Sequence, residues 1–199
     1  MILLKRLSVW LIFGTVFCSL PSIATEFEIT ALFGQMYGSD LKSADGDIDI
    51  STDNGGNFAL AIAWQDSPNG QGQIMINSVS HDFTSPVDTN KNGLNIIYAH
   101  FNGIAQFRQQ SYMTTVSLGL GGAYFDSDFA EELYPSASIA VGTRYEFSDR
   151  LSFVTELRGY ASIVDDQDDT FCQGEICHAK FSDTLWIDAN ISVGLAYKF

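Results

Sequence analysis

The chain has 199 residues, with 10 Lys plus Arg against 24 Asp plus Glu, 46% apolar residues, 13% aromatics and 17 Gly. That length suits one domain, and the acidic balance argues against nucleic acid as a partner, because phosphate binding needs a basic footprint. The 15 Phe, 8 Tyr and 3 Trp exclude disorder, and neither collagen nor coiled coil fits the composition, which leaves a small, acidic, aromatic-rich, all-β protein.

Lys5 and Arg6 precede an apolar run over 7–20, followed by Pro21-Ser22-Ile23-Ala24. A short basic region, an apolar stretch and small residues at Ser22 and Ala24 are the parts of a secretory signal. Residues 1–24 are therefore expected to be removed by cleavage between Ala24 and Thr25, leaving 25–199 as the functional domain. As a membrane anchor the run is short of the roughly 20 residues a spanning helix needs. A lipoprotein signal at Cys18 is disfavoured by bulky Phe17 before it.

After Ala24 no apolar stretch approaches the length of a spanning helix, so a membrane protein here must be a barrel. The sequence reads in twos. Residues 26–37 form a first strand with blurred alternation. In the second, Phe58, Leu60, Ile62 and Trp64 alternate with small Ala59, Ala61 and Ala63. Residues 71–83 and 94–107 make two more blurred strands. Segments 112–124, 136–147 and 151–163 alternate around Val116, Leu118 and Leu120, then Ile139, Val141 and Tyr145, then Phe153, Leu157 and Ile163. The eighth is the clearest: Ile187, Ala189, Ile191, Val193, Leu195, Tyr197 and Phe199 share one face, with Asp188, Asn190, Ser192, Gly194, Ala196 and Lys198 on the other.

The connections separate a barrel from a soluble sandwich. Long polar links at 38–56, 84–93, 125–135 and 164–184 take turns with short ones at 66–70, 108–111 and 148–150. Transmembrane barrels have long outer loops and short periplasmic turns. Aromatics cluster at strand ends in register with loop length, as interfacial girdles do. Phe27, Trp64, Phe107, Tyr112, Tyr145, Phe147, Phe153, Tyr197 and Phe199 fall at the periplasmic ends, and Phe33, Tyr37, Phe58, Tyr124 and Trp186 at the outer ends. The expected fold is all-β: an eight-stranded antiparallel up-and-down transmembrane β-barrel.

Parity places Glu28, Arg144, Glu146, Glu156, Arg158 and Lys198 inward, on strands that would be neighbours. Opposite charges in a narrow, low-dielectric lumen pair, because an unpaired buried charge costs several kcal/mol. An eight-stranded interior is just wide enough for side chains to fill, so the lumen is expected to be plugged. Inward Gly119 and Gly121 would leave local space, which keeps a narrow passive channel for small solutes as the alternative.

Loss of the signal leaves Cys172 and Cys177 as the cysteines, which read as a disulfide in an exported protein. Such a bond closes a six-residue loop and is worth about 2 kcal/mol by loop-closure entropy. The rival, a metal site using both cysteines and His178, lacks a fourth ligand. For catalysis only His81, His100 and His178 are available. Ser80 and Asp82 beside His81 point to the opposite face of the strand, so no triad is implied. No enzyme activity, cofactor or metal site is expected.

Acidic residues crowd the loops: Asp40, Asp45, Asp47, Asp49 and Asp53 in the first, Asp126, Asp128, Glu131 and Glu132 in the third, and Asp165, Asp166, Asp168, Asp169, Glu175 and Asp183 in the last. The run from Asp45 resembles the start of an EF-hand loop, but Ile50 and Gly56 stand where Gly and Glu are required. The bland reading is a solvated face; the sharper one is that divalent cations bridge these carboxylates to each other or to lipopolysaccharide phosphates.

The last strand, Val193-Gly194-Leu195-Ala196-Tyr197-Lys198-Phe199, resembles the end of bacterial outer-membrane barrel proteins. The whole plan is similar to small barrels of the OmpA-like transmembrane-domain and OmpW-like type, and the segment 117–124 with the Cys172–Cys177 loop resembles further outer-membrane barrels of that kind. The resemblance implies that Val193, Leu195, Tyr197 and Phe199 are read by the barrel-assembly machinery. It also implies an outer-membrane location, with lipid and lipopolysaccharide as surroundings. No peptidoglycan-binding domain follows Phe199 here, so the anchoring role of full-length OmpA-like proteins is not expected. What remains is a structural or loop-mediated interaction role in the envelope.

Overall fold

A computed structural model describes residues 26–85, 91–110, 112–165, 169–173 and 176–199. The signal segment and the cleavage pair Ala24 and Thr25 lie outside the described residues, as do Asp166, Asp168 and Glu175. Eight long strands carry the fold: β1 Phe27–Tyr37, β2 Gly55–Ser67, β3 Gly70–Thr84, β4 Lys91–Arg108, β5 Met113–Ser127, β6 Glu131–Glu146, β7 Leu151–Ile163 and β8 Leu185–Lys198. Each pairs antiparallel with its chain neighbours. β1 also pairs with β8, from Glu28 opposite Lys198 to Tyr37 opposite Ala189, which closes the barrel. Closure leaves no sheet edge, the condition for a sheet to sit in hydrocarbon.

The alternation decides which way each face looks. On β8 the row from Ile187 to Tyr197 is exposed, while Asp188, Asn190 and Ser192 are buried. Leu120, 74% exposed, and Leu118, Ile139, Leu157 and Phe101 likewise point out. Large apolar side chains outside and Asn, Gln, Ser, His and Arg inside invert the soluble pattern, and they match a strand wall solvated by lipid. Two glycines show how tightly the wall is made. A Cβ on Gly72 would meet the Trp64 ring at 2.6 Å, so the indole lies across the bare backbone of the next strand. A Cβ on Gly194 would come within 1.9 Å of the Ala31 carbonyl oxygen at the β1–β8 seam.

Several expectations need correction. The third link is not long: β5 runs to Ser127 and β6 starts at Glu131, with Asp126 paired to Glu131. Only 128–130 lie between, and the Ser127 hydroxyl accepts from the Phe129 and Ala130 amides to close the turn. The second link shortens as well, because Thr84 pairs with Lys91. Trp186 is not in a girdle; it is 2% exposed and faces inward, on the same side as Asp188. Gly119 and Gly121 leave no space. A Cβ on Gly119 would lie 2.0 Å from Asn102 Oδ1, and one on Gly121 2.0 Å from the Ala99 carbonyl oxygen. These glycines admit neighbours rather than a path.

The two long loops, 38–54 (loop 1) and 164–184 (loop 4), have structure of their own. Leu41–Lys42 of loop 1 pairs with Asp49–Ile50 and with Lys180–Phe181 of loop 4, a three-stranded sheet over the barrel mouth. Loop 4 also holds a 3₁₀ turn, Asp169–Phe171, and a hairpin in which Cys172 and Cys177 are disulfide-bonded.

Candidate functional site

From the short-turn end upward the lumen is filled in layers. Glu28 on β1 and Arg144 on β6 are both buried and make an ion pair, with Thr30 Oγ1 3.4 Å from the same carboxylate. At the rim Arg108 grips Glu146 through two hydrogen bonds of 2.8 and 3.2 Å, and Lys198 Nζ stands 3.7 Å from Glu146. Arg158 holds Glu156 at 2.7 and 3.1 Å and donates to Asn102 Oδ1 and Ser138 Oγ, so one guanidinium links β4, β6 and β7. The six residues singled out by parity thus fall into three opposite-charge contacts. Arg108 completes one of them; it lies one residue beyond the strand end read from sequence, and continued parity would have included it.

Between these contacts sits a small apolar layer of Leu32, Met75, Val154 and Ala196. Above it an amide and hydroxyl network crosses the lumen. Asn57 donates to Asn77 Oδ1 at 3.0 Å, Asn77 donates to the Tyr160 hydroxyl at 2.8 Å, and Asn190 donates to Ser192 at 3.0 Å. Tyr160 stacks on Tyr98 at 4.1 Å. The Tyr98 hydroxyl donates to Asp188 Oδ2, and His81 Nε2 stands 4.0 Å from the same oxygen. Sequence reading missed this His81–Asp188 pair because its members lie on strands far apart in the chain; both do fall on inward parity.

The mouth is closed by aromatics. Phe125 meets Tyr134, Phe181 and Trp186 edge to face at 5.3 to 5.8 Å, and Phe171 meets Phe83 and Phe181 the same way. Leu41, Ile50 and Phe181 bring the loop sheet into this core. Edge-to-face rings favour such clusters beyond their buried area. Tyr134 Oη and Thr170 Oγ1 at 2.8 Å, and Ser85 Oγ donating to the His178 carbonyl at 2.9 Å, pin loop 4 to the wall. His178 stacks on Phe129 at 4.4 Å, and His100 lies beside Tyr98 and Tyr160 in the lumen.

Outside this core the loop surface is acidic. Asp40, Asp45, Asp49, Asp53, Asp82, Asp128, Glu131, Glu132 and Asp183 are exposed, while Lys42, Lys91 and Lys180 supply the cations at this end. Lys91 Nζ contacts Asp53 at 2.9 Å and Asp82 at 3.9 Å; the Asp53 hydrogen bond raises the lysine pKa. No group of three or more His, Cys, Asp or Glu among the described residues is arranged to hold a metal ion. A cleft of about 290 Å³ between the loops is lined by Ser39, Asp40, Ser182, Asp183, Leu185 and Trp186.

An apolar wall, a polar filled lumen and one end of elaborated loops define a closed eight-stranded transmembrane β-barrel. No protein-family model and no curated protein matches the chain. Among solved structures it is similar to Neisserial surface protein A, 14% identical over 87% of this chain and 97% of that one, with a TM-score of 0.56. It is also similar to Ail, the attachment invasion locus protein of Yersinia pestis, at 13% identity, 86% and 98% coverage and a TM-score of 0.47. The N-terminal barrel domain of Pseudomonas aeruginosa OprF aligns at 16% identity, 87% and 97% coverage and a TM-score of 0.44.

Proposed function

We propose that the chain is a non-enzymatic barrel of the bacterial outer membrane whose acidic loops form its working surface, with a structural or interaction role in the envelope. The observation that carries this reading is the filled lumen. Paired charges, a crossed amide network and an aromatic cap occupy the interior in turn, so the loops are the part left to meet a partner. Their carboxylates favour a cationic partner, either divalent cations bridging to lipopolysaccharide phosphates or a basic external molecule. Val193, Leu195, Tyr197 and Phe199 on β8 would serve recognition by the assembly machinery before the β1–β8 seam closes.

Location and orientation can be tested together. An impermeant maleimide applied to intact cells is expected to label Asp47→Cys in loop 1, and to reach Asp149→Cys in a short turn only after the outer membrane is breached. Equal labelling of both, or labelling of neither until breach, would contradict the reading.

A further inference from the structure

Both ends of loop 1 rest on one buried pair of side chains. Gly38, where the loop begins, sits so close that a Cβ there would lie 3.0 Å from Asp188 Oδ1, 3.3 Å from His81 Cε1 and 3.3 Å from Trp186 Cζ2. Near the other end, the Asp53 carbonyl lies 2.9 Å from His81 Nδ1. A carbonyl only accepts, so Nδ1 carries a hydrogen and donates. Thr52 Oγ1 donates to the Ser39 carbonyl at 2.9 Å, so the two ends also hold each other.

The remaining ring nitrogen is the informative atom. His81 Nε2 is buried, has no hydrogen-bond partner and faces Asp188 Oδ2 from 4.0 Å. Asp188 is fully buried, and its Oδ2 accepts from the Tyr98 hydroxyl. The guanidinium groups of the lumen are engaged elsewhere, Arg144 with Glu28 and Arg158 with Glu156. The other titratable groups around the pair are Tyr98 and His100 on β4 and Tyr160 on β7. Asp53 in loop 1 turns its carboxylate out to Lys91, which also faces Asp82 on the outer side of β3. With Nδ1 already a donor, a neutral ring leaves a bare lone pair facing a carboxylate in a buried site. One added proton makes Nε2 a donor aimed at Asp188 and balances the charge.

We propose that His81 and Asp188 form a proton-operated latch on loop 1. With the proton held, the ring bonds Asp53 on one side and Asp188 on the other, and the loop is fixed over the lumen. When the proton leaves to water at the cap, the arm toward Asp188 is lost and the loop ends loosen. The sign follows from the pairing: the latch is tight at acid pH and slack at alkaline pH. This device is independent of what the loops bind.

Trp186 touches the latch and reports it. In the chain from residue 25 onward, Trp64→Phe leaves Trp186 as the sole tryptophan. Acrylamide quenching of its fluorescence is measured in the refolded barrel from about pH 5 to about pH 8, where histidine side chains change charge. Quenching is expected to rise several-fold in a single step as pH increases. The step is expected to vanish in His81→Gln, which keeps a donor for Asp53, and in Asp188→Asn. It is expected to persist in Tyr98→Phe, which retains the pair. A heat-dependent gel shift establishes folding for each variant. A flat profile with His81 and Asp188 present overturns the latch by itself, even where a substituted chain does not fold. A step that survives His81→Gln overturns it as well.

Discussion

Arg144 on β6 and Glu28 on β1 meet inside the barrel although β7 and β8 stand between their strands in the wall. Their contact crosses the lumen and braces opposite sides of it. Because both are buried, removing one partner is costly: an uncompensated charge is left in a low-dielectric interior. Glu28→Gln is expected to lower the unfolding free energy by about 3–5 kcal/mol, read from urea titration of the heat-modifiable band. Replacing both, as Glu28→Leu with Arg144→Met, is expected to cost markedly less. Equal losses in the two variants would show that the pair is not what holds this level of the lumen.

The wall glycines separate seam packing from free surface. Gly194→Ala places a methyl 1.9 Å from the Ala31 carbonyl oxygen, whereas a Cβ on Gly103 meets nothing within 4 Å. Gly194→Ala is expected to part the β1–β8 seam and abolish the heat-resistant compact band. Gly103→Ala is expected to stay within about 0.5 kcal/mol of the parent. A normal compact band from Gly194→Ala would refute the register assigned to the seam.

Lys91 ties the β3–β4 hairpin to loop 1 through Asp53, and that hydrogen bond raises the lysine pKa. The sign is then fixed. The contact is intact below the ordinary lysine range and is lost as pH rises through the raised value. Carbon-13 NMR of the dimethylated protein is expected to show Lys91 titrating above the ordinary lysine range. Asp53→Asn should return it to that range. Lys91 is solvent-exposed, so this is a local tether.

The disulfide is confined to one hairpin of loop 4, next to Phe171 in the cap. The double change Cys172→Ser and Cys177→Ser is expected to leave the barrel's unfolding midpoint unaltered, while proteolysis within loop 4 becomes faster. Loop-closure entropy for so short a loop is about 2 kcal/mol, enough to loosen the hairpin without opening the wall. Collapse of the compact band would show that the cap, and not the wall, governs folding.

How far the sequence could be read depended on which side chains alternate. From Ile187 to Phe199 large apolar residues alternate with Asp, Asn, Ser and Lys, so strand, face and lumen charge were all visible there. Around Tyr124-Phe125-Asp126-Ser127 both faces carry polar groups, the period fades, and the strand runs on into what reads as loop. Parity alone turns Trp186 inward, because its neighbour Ile187 is outside, whereas an aromatic at a strand end suggests a girdle. Pairing across the lumen was not legible, because parity gives direction but not height. Only the tilt of the strands brings Glu28 level with Arg144, or His81 level with Asp188. The two-residue strands of the loop cap are too short to leave any period.

The lumen is filled by its own paired side chains. Single-channel recording of the refolded barrel in a planar bilayer tests this most directly, with folding confirmed by the heat-dependent gel shift. A folded and silent barrel is the predicted result, leaving the loops as the working part. Steady, reproducible conductance steps would contradict it and place the protein among narrow passive channels, in which case Glu156→Gln and Arg158→Gln should change the ion selectivity.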